Sequence, residues 1–192
     1  MLDIEYYISN IKNKLNDKRF NHSLRVAKEA KRMAKIFNVN PQIAEVAGIL
    51  HDYAKNLSSD EIREYLKAMP QLVDETMLEI PELAHGIVGA EIVKDNLYIK
   101  DKDILNSISF HTTGRKEMSQ LEKIIYIADY IEPKRNFPGV EDVRKMAYKN
   151  LDKALLMALD NTIKFLIDRG AVIHPLSIEA RNYYLQYLEG NS

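Results

Sequence analysis

Three observations predict an all-α, single-domain, multi-helix chain. Glycine and proline are sparse, at seven and six of 192 residues, where average usage would supply roughly 23 together. Apolar residues recur at three- and four-residue spacing in one segment after another. Ser, Asp and Asn caps, with Gly or Pro stops, punctuate those segments.

Leu2–Leu15 opens the chain with Leu2, Ile4, Tyr7, Ile8, Ile11 and Leu15 on one stripe. Arg19–Phe37 follows, aligning Phe20, Leu24, Ala27, Ala30, Met33, Ala34 and Phe37. Asn40-Pro41 supplies a cap and a first-turn proline for Gln42–Tyr53. The Ser58-x-x-Glu61 capping box opens a short helix that ends near Met69-Pro70. After Pro81 a helix is expected over Ala84–Leu97, and Asp101 or Asp103 caps Ile104–His111. A second capping box, Ser119-x-x-Glu122, starts a strongly apolar helix that stops at Glu132-Pro133. Beyond an irregular stretch, Pro133–Gly139, come helices over Val140–Tyr148, Leu151–Arg169 (ended by Gly170) and Leu176–Leu188. Val172-Ile173 is the one segment that reads as extended. No repeat, linker or low-complexity tract divides residues 1–192, so one domain is expected.

Composition excludes several chemistries. With no cysteine, disulfides, thiol nucleophiles, iron–sulfur clusters and thiolate zinc sites are all ruled out. Any metal must then be held by carboxylates and the five histidines. The 27 Lys+Arg against 28 Asp+Glu lack the basic excess of a nucleic-acid binder. Acidic Asp3 and Glu5 near the start, and no apolar run of membrane-spanning length, lead to the expectation of a cytoplasmic, membrane-free protein.

Asp129 lies in Ile124–Ile131, an almost wholly apolar helix, where a carboxylate is costly unless paired or metal-bound. The alternative is an Asp on the helix's single wet face, or one bonded to a core Arg. His51-Asp52 closes the apolar run Ile43–Leu50. Adjacent helical residues point about 100° apart, so they share an ion only at a helix end. His22 sits near the first turn of its helix, and His85 and His111 adjoin helix ends. Two imidazoles and two carboxylates on separate helices suit Fe, Mn, Zn, Ni or Mg with positions left open.

The ordered set His22, His51-Asp52, His85, His111, Asp129 resembles the HD superfamily of metal-dependent phosphohydrolases. The flanking sequence is similar to its YqeK branch: Arg19–Ala27, His51–Lys55, His85–Ala90, His111–Arg115 with Met118-Ser119, Ala128–Arg135, Phe137–Val140, Ile173–Pro175 and Ala180–Asn182. That branch consists of symmetrical diadenosine tetraphosphate hydrolases, which cut one substrate into two ADP. The resemblance implies an HD-domain bundle with a metal-binding core at about 18–135. C-terminal helices over 140–189 would complete a nucleotide pocket.

By the same resemblance His22, His51, Asp52 and Asp129 hold the metal, iron first among divalent or trivalent ions. Asp52 orients or deprotonates the attacking water, and His85 and His111 serve as catalytic phosphate or second-ion contacts. Arg19, Lys55, Thr112 and Arg135 are assigned to the polyphosphate, while Arg115 is expected to be structural. Val172, Ile173, His174, Pro175 and Arg181 are assigned to the nucleoside end. ADP or GDP is expected to bind as product. Tyr183, Tyr184 and Tyr187 on the last helix suit packing or a homodimer face. Competing readings are an HD phosphohydrolase for guanosine tetraphosphate or a deoxynucleotide, and a non-catalytic purine-nucleotide sensor. The cyclic-di-GMP branch is disfavoured because its Gly-Tyr-Pro tripeptide is missing.

Overall fold

Side-chain caps set where the helices begin. The computed structural model describes residues 3–70 and 74–190. Asp3 accepts from the Tyr6 amide to start α1 (Ile4–Lys14), and Asn16 accepts from Arg19 to start α2 (Asp17–Ile36). The predicted first residue, Leu2, lies outside the described residues. Asn40 and Pro41 open α3 (Pro41–Leu50), and the Ser58 box opens α4 (Ser59–Ala68). Helix α3 is shorter than expected, because residues 51–56 are turns. His51 keeps helical dihedrals, φ −55° and ψ −38°, so the pair His51-Asp52 sits just past the helix end.

Two short elements went unpredicted: α5 (Glu75–Glu79), capped by Asp74, and a 3₁₀ turn over Pro81–Ala84. Neither is long enough to show a periodic apolar stripe. That turn leads into α6 (His85–Asn96). Asp101, not Asp103, caps α7 (Lys102–Ser109), which leaves His111 in the following turn. Asp103 instead pairs with the Ser119 hydroxyl. The second capping box starts α8 (Gln120–Ile131) as expected. Last come α9 (Val140–Ala147), α10 (Leu151–Asp168) and α11 (Pro175–Gly190). No strand occurs among the described residues, and Val172-Ile173 lies in the irregular link before α11.

Helix α8 is the central element, packed against α2, α3, α7, α9 and α10. Its Leu121, Ile124, Ile125, Ile127, Ala128 and Ile131 are all at most 1% exposed. Each large apolar side chain buried this way contributes roughly 1.5–3 kcal/mol. Two glycines allow the close approaches that position the site. A Cβ on Gly48 would lie 2.6 Å from the Ala27 Cα, so α3 crosses α2 at backbone contact. A Cβ on Gly86 would lie 2.6 Å from the Ser109 carbonyl oxygen, so the start of α6 abuts the end of α7. Thus His51 is set beside α2, and His85 beside His111.

Candidate metal centre

Three of the histidines are held by one local device. The Nδ1 of His51 is 2.8 Å from the Gly48 carbonyl, that of His85 2.7 Å from Glu82, and that of His111 2.7 Å from Ile108. In each case the acceptor is the carbonyl three residues earlier. A carbonyl oxygen only accepts, so each Nδ1 carries the proton and each Nε2 presents a lone pair. These rings and His22 form an edge-to-face row: centroids are 5.3 Å apart for His22–His51, 5.0 Å for His51–His111 and 4.9 Å for His85–His111.

The lone pairs converge on Asp52. Its Oδ1 lies 3.3 Å from His85 Nε2 and 3.5 Å from His111 Nε2, and those two nitrogens are 3.1 Å apart. Its Oδ2 lies 3.7 Å from His51 Nε2 and 4.0 Å from His22 Nε2, and accepts from Arg19 at 3.1 Å. His51 Nε2 is buried with no hydrogen-bond partner among the described residues. On the other side His22 Nε2 is 2.9 Å from Asp129 Oδ1. Two overlapping groups result, His22 with His51 and Asp129, and His51 with Asp52 and His111, each with ligand atoms within 4.8 Å of one another. Beyond Arg19 on Asp52 and Arg135 on Asp129, these ring nitrogens and carboxylate oxygens face one another directly, and imidazole plus carboxylate suits a borderline or hard cation. The residues present therefore fit a metal.

Electrostatics divide the titratable groups. Burial lowers His51 and His85 to about 4, so both are neutral, coordinating imidazoles at pH 7. Burial also pulls His22 down, but hydrogen bonds to Asp129 and Glu132 outweigh it and raise its pKa. Burial pushes Asp52 up, yet the surrounding histidines hold it well below the usual carboxylate range. Asp129 is held low against the same burial by His22, His51 and Arg135. Both carboxylates are therefore available as anions.

Nine of the residues singled out in sequence come together here: Arg19, His22, His51, Asp52, Lys55, His85, His111, Asp129 and Arg135. Asp129 faces His22 and also accepts from Arg135 at 2.6 Å, the arginine partner that was one of its alternatives. Lys55 Nζ is 3.3 Å from both ring nitrogens of His85, which places it over the ring face. Thr112 has its hydroxyl buried and unpartnered.

The C-terminal residues are arranged differently. Val172 is 51% exposed. His174 is buried; its Nδ1 accepts from the Leu176 amide at 3.2 Å and its Nε2 lies 2.8 Å from Asp74 Oδ2. Ile173 and Pro175 flank it in the chain. Arg181 pairs with Asp160 at 2.8 Å rather than with the histidine cluster. Arg115 binds Glu122 through two contacts, 2.6 and 2.9 Å, beneath the capping box.

Sequence reasoning missed Glu132 and Arg25. Glu132 is 3% exposed, with Oε1 3.2 Å from His22 Nδ1, and it accepts from Arg25 at 2.6 and 3.2 Å and from the Lys134 amide at 2.9 Å. The available signal was an acid directly ending an apolar helix, and an arginine one turn after His22.

Comparison with known proteins identifies the family. Residues 19–134 match the HD domain family. The chain is 41% identical over 175 residues to a protein of Halalkalibacterium halodurans named "Bis(5'-nucleosyl)-tetraphosphatase, symmetrical", covering 91% of this chain and 93% of that one. A protein of the same name from Staphylococcus aureus is 39% identical over 175 residues, covering 90% of each. A crystal structure from Clostridium acetobutylicum, called a predicted HD superfamily hydrolase involved in NAD metabolism, is 45% identical with a TM-score of 0.93, covering 97% of this chain and 99% of that one. This chain belongs to the HD-domain family and, within it, to the branch of the symmetrical bis(5'-nucleosyl)-tetraphosphatases.

Proposed function

We propose that this protein hydrolyses diadenosine tetraphosphate symmetrically, releasing two ADP. The observation that carries the reading is the pair of overlapping clusters, His22 with His51 and Asp129, and His51 with Asp52 and His111, joined at a His51 Nε2 that is buried and unpartnered among the described residues. Water adds to one of the two central phosphorus atoms and the middle anhydride bond breaks. One ADP gains the hydroxyl oxygen, the other leaves with the bridging oxygen, and a proton is released.

What a metal supplies when bound is Lewis acidity, toward water and toward a phosphoryl oxygen. Iron is the ion of this reading, with Mn, Zn, Ni and Mg compatible with the same donors. Asp52 accepts a hydrogen bond from the water. Because its pKa is held so low, it serves to orient the water more than to deprotonate it. The Nε2 atoms of His85 and His111 add two more acceptors at the same place, suited to a water or a second ion. Lys55 makes no ion pair with a carboxylate among the described residues, so of these three cations it is the freest to meet phosphate, whereas Arg19 and Arg135 are shared with Asp52 and Asp129. The Val172–Pro175 turn and Arg181 are assigned to the nucleoside end on the resemblance alone. A cytoplasmic setting, and pairing of two copies through the tyrosines of α11, belong to the same reading. Among the described residues, no helix is long and apolar enough to cross a membrane.

A second reading keeps the fold and changes the nucleotide, and the Clostridium acetobutylicum protein's description as involved in NAD metabolism is the reason to include NAD among those tested. The deciding experiment incubates iron-loaded protein with diadenosine tetraphosphate, guanosine tetraphosphate, deoxynucleotides and NAD, and resolves the products by chromatography. ADP as the sole product of diadenosine tetraphosphate is expected. ATP plus AMP, or turnover confined to another nucleotide, would overturn the proposal. Tight ADP binding without any turnover would make the protein a sensor.

A further inference from the structure

Of the four clustered histidines, His22 alone is not held by a carbonyl three residues earlier in its own chain. Its Nδ1 meets Glu132 Oε1 at 3.2 Å, contributed from the end of α8, 110 residues away in sequence. Glu132 is itself fixed on three sides: the Arg25 guanidinium grips both oxygens at 2.6 and 3.2 Å, and the Lys134 amide donates to Oε2 at 2.9 Å. Arg25 lies one turn after His22 on α2, so the ring and the arginine reach the same carboxylate from a single helix.

We infer that Glu132 is a positioning residue for the metal centre: it holds His22 Nδ1–H, and so aims the His22 Nε2 lone pair at the ion. It is not a ligand. Both its oxygens are committed to His22, Arg25 and Lys134, and Glu132 belongs to neither group of candidate ligands. A carboxylate behind a ligating imidazole fixes the ring's tautomer and orientation and raises its basicity, and removing such a contact typically lowers metal affinity about 10–100-fold. Arg25 neutralises the carboxylate, so no unpaired charge is buried against α8. His51 and His111 lie just past helix ends, where the last carbonyls lack helical partners, whereas His22 lies inside α2, where the Arg19 carbonyl is taken up by the helix's own amide ladder.

This inference rests on the metal-centre reading above, and the test keeps the two apart. Zinc affinity is measured by chelator competition on the full-length wild-type, Glu132→Ala, Glu132→Gln and His22→Ala proteins, with folding followed by circular dichroism. Glu132→Ala is expected to lose about 10–100-fold in zinc affinity. Glu132→Gln, whose amide oxygen still accepts from Nδ1–H, is expected to lose less. Nitrogen NMR of the zinc-loaded wild type should show His22 protonated at Nδ1, and Glu132→Ala should scramble that assignment. Combining Glu132→Ala with His22→Ala should cost no more affinity than His22→Ala alone. Wild-type zinc affinity in folded Glu132→Ala, or full additivity in the double variant, would overturn the role of Glu132. Wild-type affinity in His22→Ala would overturn the metal reading itself.

Discussion

Arg135 holds Asp129 at two points: its Nη2 donates to Oδ1 at 2.6 Å, and its Nε donates to the Asp129 backbone oxygen at 3.0 Å. The same Oδ1 lies 2.9 Å from His22 Nε2. One carboxylate oxygen thus serves a cationic side chain and the metal centre together.

On the proposed function, Arg135 and a metal would compete for this oxygen while both serve the polyphosphate. Arg135→Ala is expected to keep its metal, or bind it more tightly, yet to lose about 10–100-fold in kcat/KM. That corresponds to one charge-assisted contact of roughly 1.5–3 kcal/mol. Asp129→Ala should do the opposite, losing metal by more than the loss of an outer contact costs while remaining helical. Metal content by elemental analysis, paired with steady-state kinetics, separates the two variants.

Metal uptake should be pH-dependent with a defined sign. Hydrogen bonds to Asp129 and Glu132 raise the His22 pKa, so His22 is protonated to a greater extent than a free imidazole at the same pH, and coordination must displace that proton. His51 and His85, at about 4, are already neutral in the neutral range. Affinity is expected to fall as pH drops below the His22 pKa, because protons then compete with the ion for that ring. In the metal-free protein the linkage is reversed. The His22 contribution to stability is complete below pH 6.5 and is lost as pH rises through its elevated pKa. Zinc titrations between pH 5 and 9 would contradict this if affinity were flat.

Helix contact controls ligand spacing at Gly48. A methyl group there would sit 2.6 Å from the Ala27 Cα and 2.9 Å from its nitrogen, both backbone atoms that cannot rotate away. Gly48→Ala should cost about 1–3 kcal/mol as an overpacked contact. It should also separate His51 from His22, so thermal unfolding and metal affinity worsen together. Unchanged metal affinity with lowered stability would show that the cluster tolerates the shift.

His174 and Asp74 join segments 100 residues apart, since His174 Nε2 is 2.8 Å from Asp74 Oδ2 while Asp74 also caps α5 through the Met77 amide at 2.9 Å. Asp74→Ala removes both functions and should destabilise this region by about 0.5–2 kcal/mol, the range for a lost N-cap. Amide exchange in Glu75–Glu79 should accelerate while α2 and α8 stay protected. Equal acceleration everywhere would show instead that the pair supports the whole fold.

Much of this protein could be read before folding. Caps such as Asn16, Asn40, Ser58 and Ser119 act within one helical turn, so their chemistry is visible locally and the boundaries follow. Apolar spacing made α8 a buried helix, and burial made Asp129 conspicuous. Short α5 escaped because five residues cannot show a stripe.

The sequence by itself determined an all-α chain and singled out the histidines and aspartates that the fold brings together. Only the tertiary structure decided how they act. Glu132 reaches His22 across 110 positions, and Arg181 turns to Asp160. The Nε2 lone pairs of His85 and His111 meet at 3.1 Å because Gly86 lets α6 abut α7. Local order sets helix ends within a few residues, but the direction of a lone pair depends on which helices touch, and that is settled by packing of the whole core.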